Sequence, residues 1–252
     1  MSKIWSGFNP TKTDEPLSLI LEQFENCPIV QRKEKLDETF QSMAKIAISG
    51  LNDFNQENTR KEYFNLLVNL ACQDSFRTIA YGKKHNMEVA KNVYDNLQVM
   101  ATTIVDSNLL ENLRDNNLGF LSEFAVLGTF WSAVIHNFLS DRSYALLTDK
   151  KRDMSSRGKI KKDGFDILAK TGNRTKATHF IQVKASPNPK NWPKYEPKIK
   201  IISPSLISKN TQIFVDDCTQ HPTAGIIRTI ANNDHSKLMV FAQNLSEFLR
   251  YK

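Results

Sequence analysis

Two short runs of alternating apolar residues, joined by a turn, constrain the fold of this chain more than any other feature. The runs are FDILA at 165–169 and HFIQVKA at 179–185, with Thr-Gly-Asn between them. Residues two apart in a strand lie on the same face. The pattern therefore predicts a β-hairpin whose apolar residues face one side and whose polar residues, Asp166, Gln182 and Lys184, share the other.

The chain up to about residue 139 has a helical pattern. Apolar residues repeat at intervals of three and four in LSLILEQF, KLDETFQSMAKIAISGL, KEYFNLLVNLA, MEVAKNVYDNLQVMATTIV and LGFLSEFAVLGTFWSAVIHNFL. The last of these is apolar over a length that can span a bilayer, but it contains Glu123, His136 and Asn137. We therefore expect a buried helix there, and no membrane partner.

The chain changes character near residue 140. The polar, basic segment at 148–164 predicts an exposed loop, and strand patterns follow it. Helices first and mixed elements later predict an α/β fold, with an all-helical N-terminal region at 1–115 and a core of mixed sheet and helices at 116–252. Beyond the hairpin, the predicted strands are IKIIS (199–203), TQIFVDD (211–217) and KLMVFAQ (237–243), and the predicted helices are TAGIIRTIANN (223–233) and NLSEFLRYK (244–252).

Composition and short motifs exclude several classes of protein. The three cysteines form no C-x-x-C pair, which argues against a zinc ribbon or a disulfide framework and favours a reducing, cytoplasmic compartment. The N-terminus has no apolar signal-peptide segment. The five histidines show no metal-binding spacing, and no P-loop motif is present. We expect His179, at the start of its strand, to be structural. The formal net charge of +7 permits a polyanionic partner.

The order of the polar residues resembles a known family. Glu123 on a helix, Asp166 in KDGFDILA, and Q-x-K in HFIQVKAS (Gln182 to Lys184) resemble the PD-(D/E)xK nuclease superfamily, and most closely its Mrr-like branch. The resemblance covers roughly residues 117–190 and implies a restriction-endonuclease-like mixed central sheet flanked by helices. Phe165 stands at the position of the name-giving proline, and Gln182 replaces the usual acid.

Cleavage of a phosphodiester requires neutralisation of the phosphate charge and an aligned, deprotonated water. Mg²⁺ prefers oxygen ligands, so Asp166 is the first expected ligand, with Mn²⁺ as an alternative ion. Gln182 can offer its side-chain oxygen or orient a ligated water. Lys184 is expected to position or deprotonate the attacking water and to stabilise the transition state. The resemblance implies that the Val183 carbonyl is a further ligand, and we expect Glu123 to reach the metal through water.

The flanking segments predict a nucleic-acid partner. Lysines next to aromatic residues can bind phosphates while the aromatic rings stack on bases, although a solvated loop explains the first basic run equally well. Between the first basic run and Asp166 lies Asp163, which is an alternative metal ligand or a supporting residue at the entrance of the Asp166 strand. The candidate nucleic-acid contacts are Lys159, Lys161 and Lys162 before the hairpin, and Lys190, Trp192, Lys194 and Tyr195 after it.

The sequence thus favours a Mg²⁺-dependent endonuclease that cuts DNA, and the resemblance implies double-stranded DNA and a homodimer, because one site cuts one strand. Three other functions stay open. The chain could be an inactive nucleic-acid-binding module of the same fold, a nuclease directed at RNA, or a helical interaction protein whose C-terminal half is a scaffold.

Overall fold

The fold is known from a computed structural model, which describes residues 87–113, 118–147, 165–172, 178–192, 194, 199–208 and 221–250. These residues all belong to one compact unit. Its helices are α1 (Met87–Asp106), α2 (Leu118–Ile135), α3 (Pro204–Ile207), α4 (Pro222–Ala231) and α5 (His235–Arg250). Its strands are β1 (Tyr144–Leu147), β2 (Ile167–Lys170), β3 (His179–Val183) and β4 (Ile199–Ile202), and short 3₁₀ turns lie at Leu109–Asn112 and Pro189–Asn191.

The four strands form one mixed sheet in the order β1-β2-β3-β4. Strands β1, β2 and β3 pair antiparallel, and β4 pairs parallel with β3. The predicted hairpin is therefore present as β2 and β3, with Ile167 opposite Ile181. Its turn contains Gly172 at φ 73°, a left-handed conformation that glycine adopts without strain. The structure thus confirms the predicted α/β class to the extent that it contains a mixed sheet with helices.

Helix α2 lies at the centre of this unit. It packs against α1, α4 and α5 on the helical side and against β1 and β3 of the sheet. Every residue from Phe120 to Val134 is buried, because a helix with apolar side chains on all faces has no polar face to expose to solvent. The helix is long and apolar enough to cross a membrane, but 83% of its apolar window is buried inside the fold. This burial agrees with the predicted core helix.

One predicted strand is wrong. The run KLMVFAQ at 237–243 is helical and belongs to α5, which continues through most of the segment predicted as a separate last helix. Leu238, Phe241, Leu245 and Leu249 are all buried, and their spacing places them on one helical face. The local run of apolar residues suggested a strand, whereas the longer helical period decided the structure.

Other predictions have mixed outcomes. Helix α1 was predicted, as were β4 and α4. Strand β1 was not predicted, because its sequence YALL is too short to show a period. The first three predicted helices, the strand at 211–217 and the basic loop at 148–164 lie outside the described residues. The division at 115 and 116 stays a prediction, although α1, from the first part, packs against α2 and α4.

The C-terminal end of α5 is tied to the sheet by two side chains. Lys200 Nζ donates to the carbonyls of Phe248 and Leu249 at 2.8 and 3.1 Å. The His179 ring contacts the Leu249 carbonyl through Nε2 at 2.9 Å and Thr178 Oγ1 through Nδ1 at 2.8 Å. Both ring nitrogens are therefore engaged, which agrees with the structural role predicted for His179. The last carbonyls of a helix attract such donors.

Helices α2 and α4 approach closely at Gly128. A Cβ atom added there would lie 2.5 Å from Ile230 Cδ1 and 3.6 Å from Ile230 Cγ1, and Ile230 is fully buried. We expect Gly128→Ala to lower the free energy of unfolding by about 1–2 kcal/mol through overpacking. In an Ile230→Val background, which lacks the clashing atom, the same change should stabilise by roughly 0.5–1 kcal/mol through helix propensity.

Urea unfolding of the four proteins in this double-mutant cycle measures both values. Equal effects of Gly128→Ala in the two backgrounds would show that the Gly128–Ile230 contact does not limit the approach of the helices.

Candidate functional site

The candidate site starts from Asp166, which lies at the entrance of β2. Its backbone N–H donates to the Ile181 carbonyl at 2.8 Å, which fixes it against β3. Its side chain is only 1% exposed. The Oδ2 atom accepts hydrogen bonds from the Val183 backbone N–H at 2.9 Å and from Gln182 Nε2. The hairpin thus brings the strand acid and the first residue of the Q-x-K motif into direct contact.

Gln182 is oriented by this contact. Because Nε2 donates to Asp166, the amide oxygen Oε1 is directed elsewhere, and a flipped amide would place two acceptor oxygens against each other. Gln182 is 2% exposed, and Oε1 is buried with no hydrogen-bond partner in the part of the chain that the structure describes. A buried acceptor without a partner costs about 1–3 kcal/mol. A cation bound to Oε1, or a group that donates a hydrogen bond to it, would remove this cost.

Lys184 follows the last residue of β3. Its backbone N–H donates to the Ile202 carbonyl at 2.8 Å, so the pairing with β4 continues through it. Its side chain is partly exposed, whereas Gln182 and Val183 before it are buried. A partly exposed lysine next to the buried hairpin contact avoids most of the cost of burying its charge.

Glu123 lies in the second turn of α2 and is 8% exposed. Helix α2 packs against β1 and β3, so this acid belongs to the helix that covers the hairpin. Carboxylates are rarely buried to this extent unless they are paired or bind a cation. Direct contacts thus join Asp166, Gln182 and Val183, whereas Glu123 lies on α2 and Lys184 directly follows β3.

The donor atoms of this site fit a hard divalent cation. Asp166 and Gln182 offer a carboxylate and an amide oxygen, and Val183 offers a backbone carbonyl; all three are ligand types that Mg²⁺ and Mn²⁺ accept. Among the described segments, no group of three or more His, Cys, Asp or Glu side chains is placed to hold a metal. The candidate ligand set is therefore low in negative charge. Gln182 is neutral, whereas an acid at its position would add a second negative charge to that of Asp166.

The loop after Lys184 carries three of the candidate nucleic-acid contacts. Lys190 and Lys194 are exposed, and Trp192 is partly exposed. The indole Nε1 of Trp192 donates to the Ser186 carbonyl at 3.0 Å, which holds the ring against the start of the loop. The remaining candidates, Lys159, Lys161, Lys162 and Tyr195, and the alternative ligand Asp163, lie outside the described residues.

Sequence reasoning missed the residues at the start of α4. His221 occupies the N-cap of this helix, and Pro222 is its first residue. Burial lowers the pKa of His221, and a hydrogen bond with the Ala185 backbone raises it in part, so this histidine lies beside the end of the Q-x-K segment. A polar residue followed by proline is a helix-start signal, but nothing in the sequence indicates that this start lies near Lys184.

The described fold and site define an α/β protein with a buried carboxylate–amide pair across a β-hairpin. No protein-family model, curated protein or solved structure matches the chain.

Proposed function

We propose that this chain is a Mg²⁺-dependent endonuclease that hydrolyses phosphodiester bonds in DNA. The observation that carries the proposal is the contact of Asp166 with Gln182 and the Val183 N–H, all buried, one residue before the partly exposed Lys184. This contact joins Asp166 and Gln182, two of the residues that carry the resemblance to PD-(D/E)xK nucleases. We extend the proposal to the fold, as a restriction-endonuclease-like core.

In this mechanism the oxygens of Asp166, Gln182 and Val183 would hold a Mg²⁺ or Mn²⁺ ion. When bound, such an ion neutralises phosphate charge and lowers the pKa of a coordinated water. Lys184 would position the attacking water or help to remove its proton, and its positive charge would stabilise the negative charge that develops on the phosphate oxygens. Glu123 would orient a further water from the side of helix α2.

The proposed substrate is double-stranded DNA, bound through the loop that follows β3. Lys190 and Lys194 are exposed and can pair with phosphates, and Trp192 offers a ring face to a base. Each phosphate contact of this kind makes the affinity fall with salt. Cleavage of both strands by a single site requires either two encounters or two copies, so a homodimer is part of the proposal.

The test is an incubation of the purified chain with plasmid DNA, single-stranded DNA and RNA, each with Mg²⁺, with Mn²⁺ and with EDTA. We expect nicking and linearisation of the plasmid with either ion and none with EDTA. Cleavage restricted to RNA would replace the proposal by an RNA-directed nuclease. Binding of nucleic acid without cleavage of any substrate would overturn it in favour of an inactive binding module.

A further inference from the structure

The first turn of α4 is fastened to α2 by a buried hydrogen bond. Thr223 Oγ1 and Ser122 Oγ are 2.8 Å apart, and both residues are fully buried. Ser122 Oγ already donates its single proton to the Leu118 carbonyl at 2.7 Å. A hydroxyl has one proton and two acceptor lone pairs, so Thr223 is the donor and Ser122 the acceptor. Ser122 directly precedes Glu123, and the bond thus fixes the turn of α2 that carries this acid.

The same turn of α4 reaches the end of β3 through His221. The Nδ1 atom of His221 accepts the Thr223 backbone N–H at 3.2 Å. The neutral ring therefore carries its proton on Nε2. A hydrogen bond that raises the pKa of a histidine is one that the ring donates, so the acceptor at Ala185 is the backbone carbonyl. Ala185 is the residue after Lys184.

The Lys184 segment is thus held on two sides. The Lys184 backbone N–H donates to the Ile202 carbonyl, and Ala185, the next residue, contacts His221. We propose that His221 and Thr223 are positioning residues of the nuclease site: they hold the Glu123 turn of α2 and the Lys184 end of β3 in a fixed relation. This inference rests on the proposed function and adds two residues that no sequence motif of the site contains.

The expected effect follows from how sharply catalysis depends on geometry. Reacting groups must be held to about 0.5 Å, and removal of the residues that orient a metal site typically costs about 10–100-fold in activity. Neither residue is proposed to touch DNA. Loss of either bond should therefore lower kcat and leave the KM for DNA unchanged.

Two variants separate positioning from simple stability. Thr223→Val keeps the shape of the side chain but removes the hydroxyl that donates to Ser122. His221→Asn keeps an N-cap acceptor for the Thr223 N–H but is too short to reach Ala185. We expect each variant to lower kcat by roughly 10-fold or more, with the KM for plasmid DNA within about twofold of the wild-type value. Thr223→Ser, which restores the hydroxyl, should recover most of the lost kcat.

Two matched controls use the same exchanges at other helix positions. Thr229→Val removes a buried hydroxyl of α4 whose bond, among the described residues, stays within its own helix, to the Gly225 carbonyl at 2.8 Å. His235→Asn changes the first residue of α5. If Thr223→Val and His221→Asn lower kcat no more than these controls, or if Thr223→Ser fails to restore it, the positioning role is wrong while the nuclease stands. A wild-type chain without metal-dependent cleavage overturns both proposals.

Discussion

The Asp166→Asn variant is expected to lose metal-dependent DNA cleavage by about 10²–10³-fold, the loss that follows removal of one electrostatic group from an active site. Asparagine keeps the size of the side chain, and its oxygen can still accept the Val183 N–H that now donates to Asp166 at 2.9 Å. The fold should therefore persist, while the only charged direct ligand of the proposed cation is lost. Initial rates of plasmid nicking, with circular dichroism to check folding, measure the effect.

Lys184→Met tests the other side of the same site. Methionine keeps an unbranched apolar stem and the backbone bond to Ile202, but it removes the ammonium, and we expect a loss of cleavage of the same order, about 10²-fold or more. Lys170→Met is the matched control for Lys184→Met, and Asp141→Asn is the matched control for Asp166→Asn. Lys170 lies at the end of β2 over the Tyr144 ring, 5.6 Å from its centroid, and Asp141 is exposed. Unchanged cleavage by both site variants would remove the nuclease proposal.

Part of the candidate site could be predicted because strand alternation is a local rule. Once the runs around Asp166 and Gln182 form a hairpin, their polar side chains share a face, and the structure places these two side chains in contact. The burial of α2 was predictable for a similar reason, since a helix that is apolar on every face is stable only inside a protein. Both predictions require no knowledge of distant segments.

The failures concern features that local patterns do not determine. In KLMVFAQ, five successive apolar residues fit a buried strand as well as a buried helical turn. Only the continuation to Leu245 and Leu249, both buried on the same face as Leu238, identifies α5 as one helix. The role of His221 depends on where the start of α4 packs. That position is set by contacts such as Thr223 with Ser122, which are 101 residues apart in the chain, and a single sequence does not reveal it.

The charge of the proposed metal site leads to a prediction that does not depend on catalysis. In the Gln182→Glu variant, a second buried carboxylate replaces the amide that donates to Asp166. Without metal, two adjacent buried carboxylates repel each other, and one donor to Asp166 is lost. We expect the free energy of unfolding at pH 8 to fall by on the order of 2–4 kcal/mol. The two acids should share a raised pKa, so the folded variant binds more protons than the unfolded chain, and its stability falls as pH rises through that window.

Divalent cations should reverse this loss. A second carboxylate raises the affinity of an oxygen site for Mg²⁺, and a ligand that binds only the folded state stabilises it by RT ln(1 + [L]/Kd). The increase in Tm on addition of Mg²⁺ at pH 8 should therefore be larger for Gln182→Glu than for the wild type. At a pH low enough to protonate the pair, this increase should disappear, because a protonated carboxyl is a poor ligand.

Gln243→Glu is the matched control for this experiment. Gln243 Nε2 also donates to a carboxylate, Glu247 Oε1 at 3.1 Å, but on the exposed surface of α5. There the same exchange creates a like-charge pair one helical turn apart in water, which costs only about 0.2–0.5 kcal/mol, and Mg²⁺ should not restore it specifically. If Gln182→Glu behaves like Gln243→Glu, both in its cost without metal and in its response to Mg²⁺, then the pocket around Asp166 does not concentrate oxygen ligands for a cation. Both exchanges place an acid beside an existing carboxylate, one buried at the hairpin and one exposed on α5, so comparison of the two variants tests whether the Asp166 pocket binds a cation.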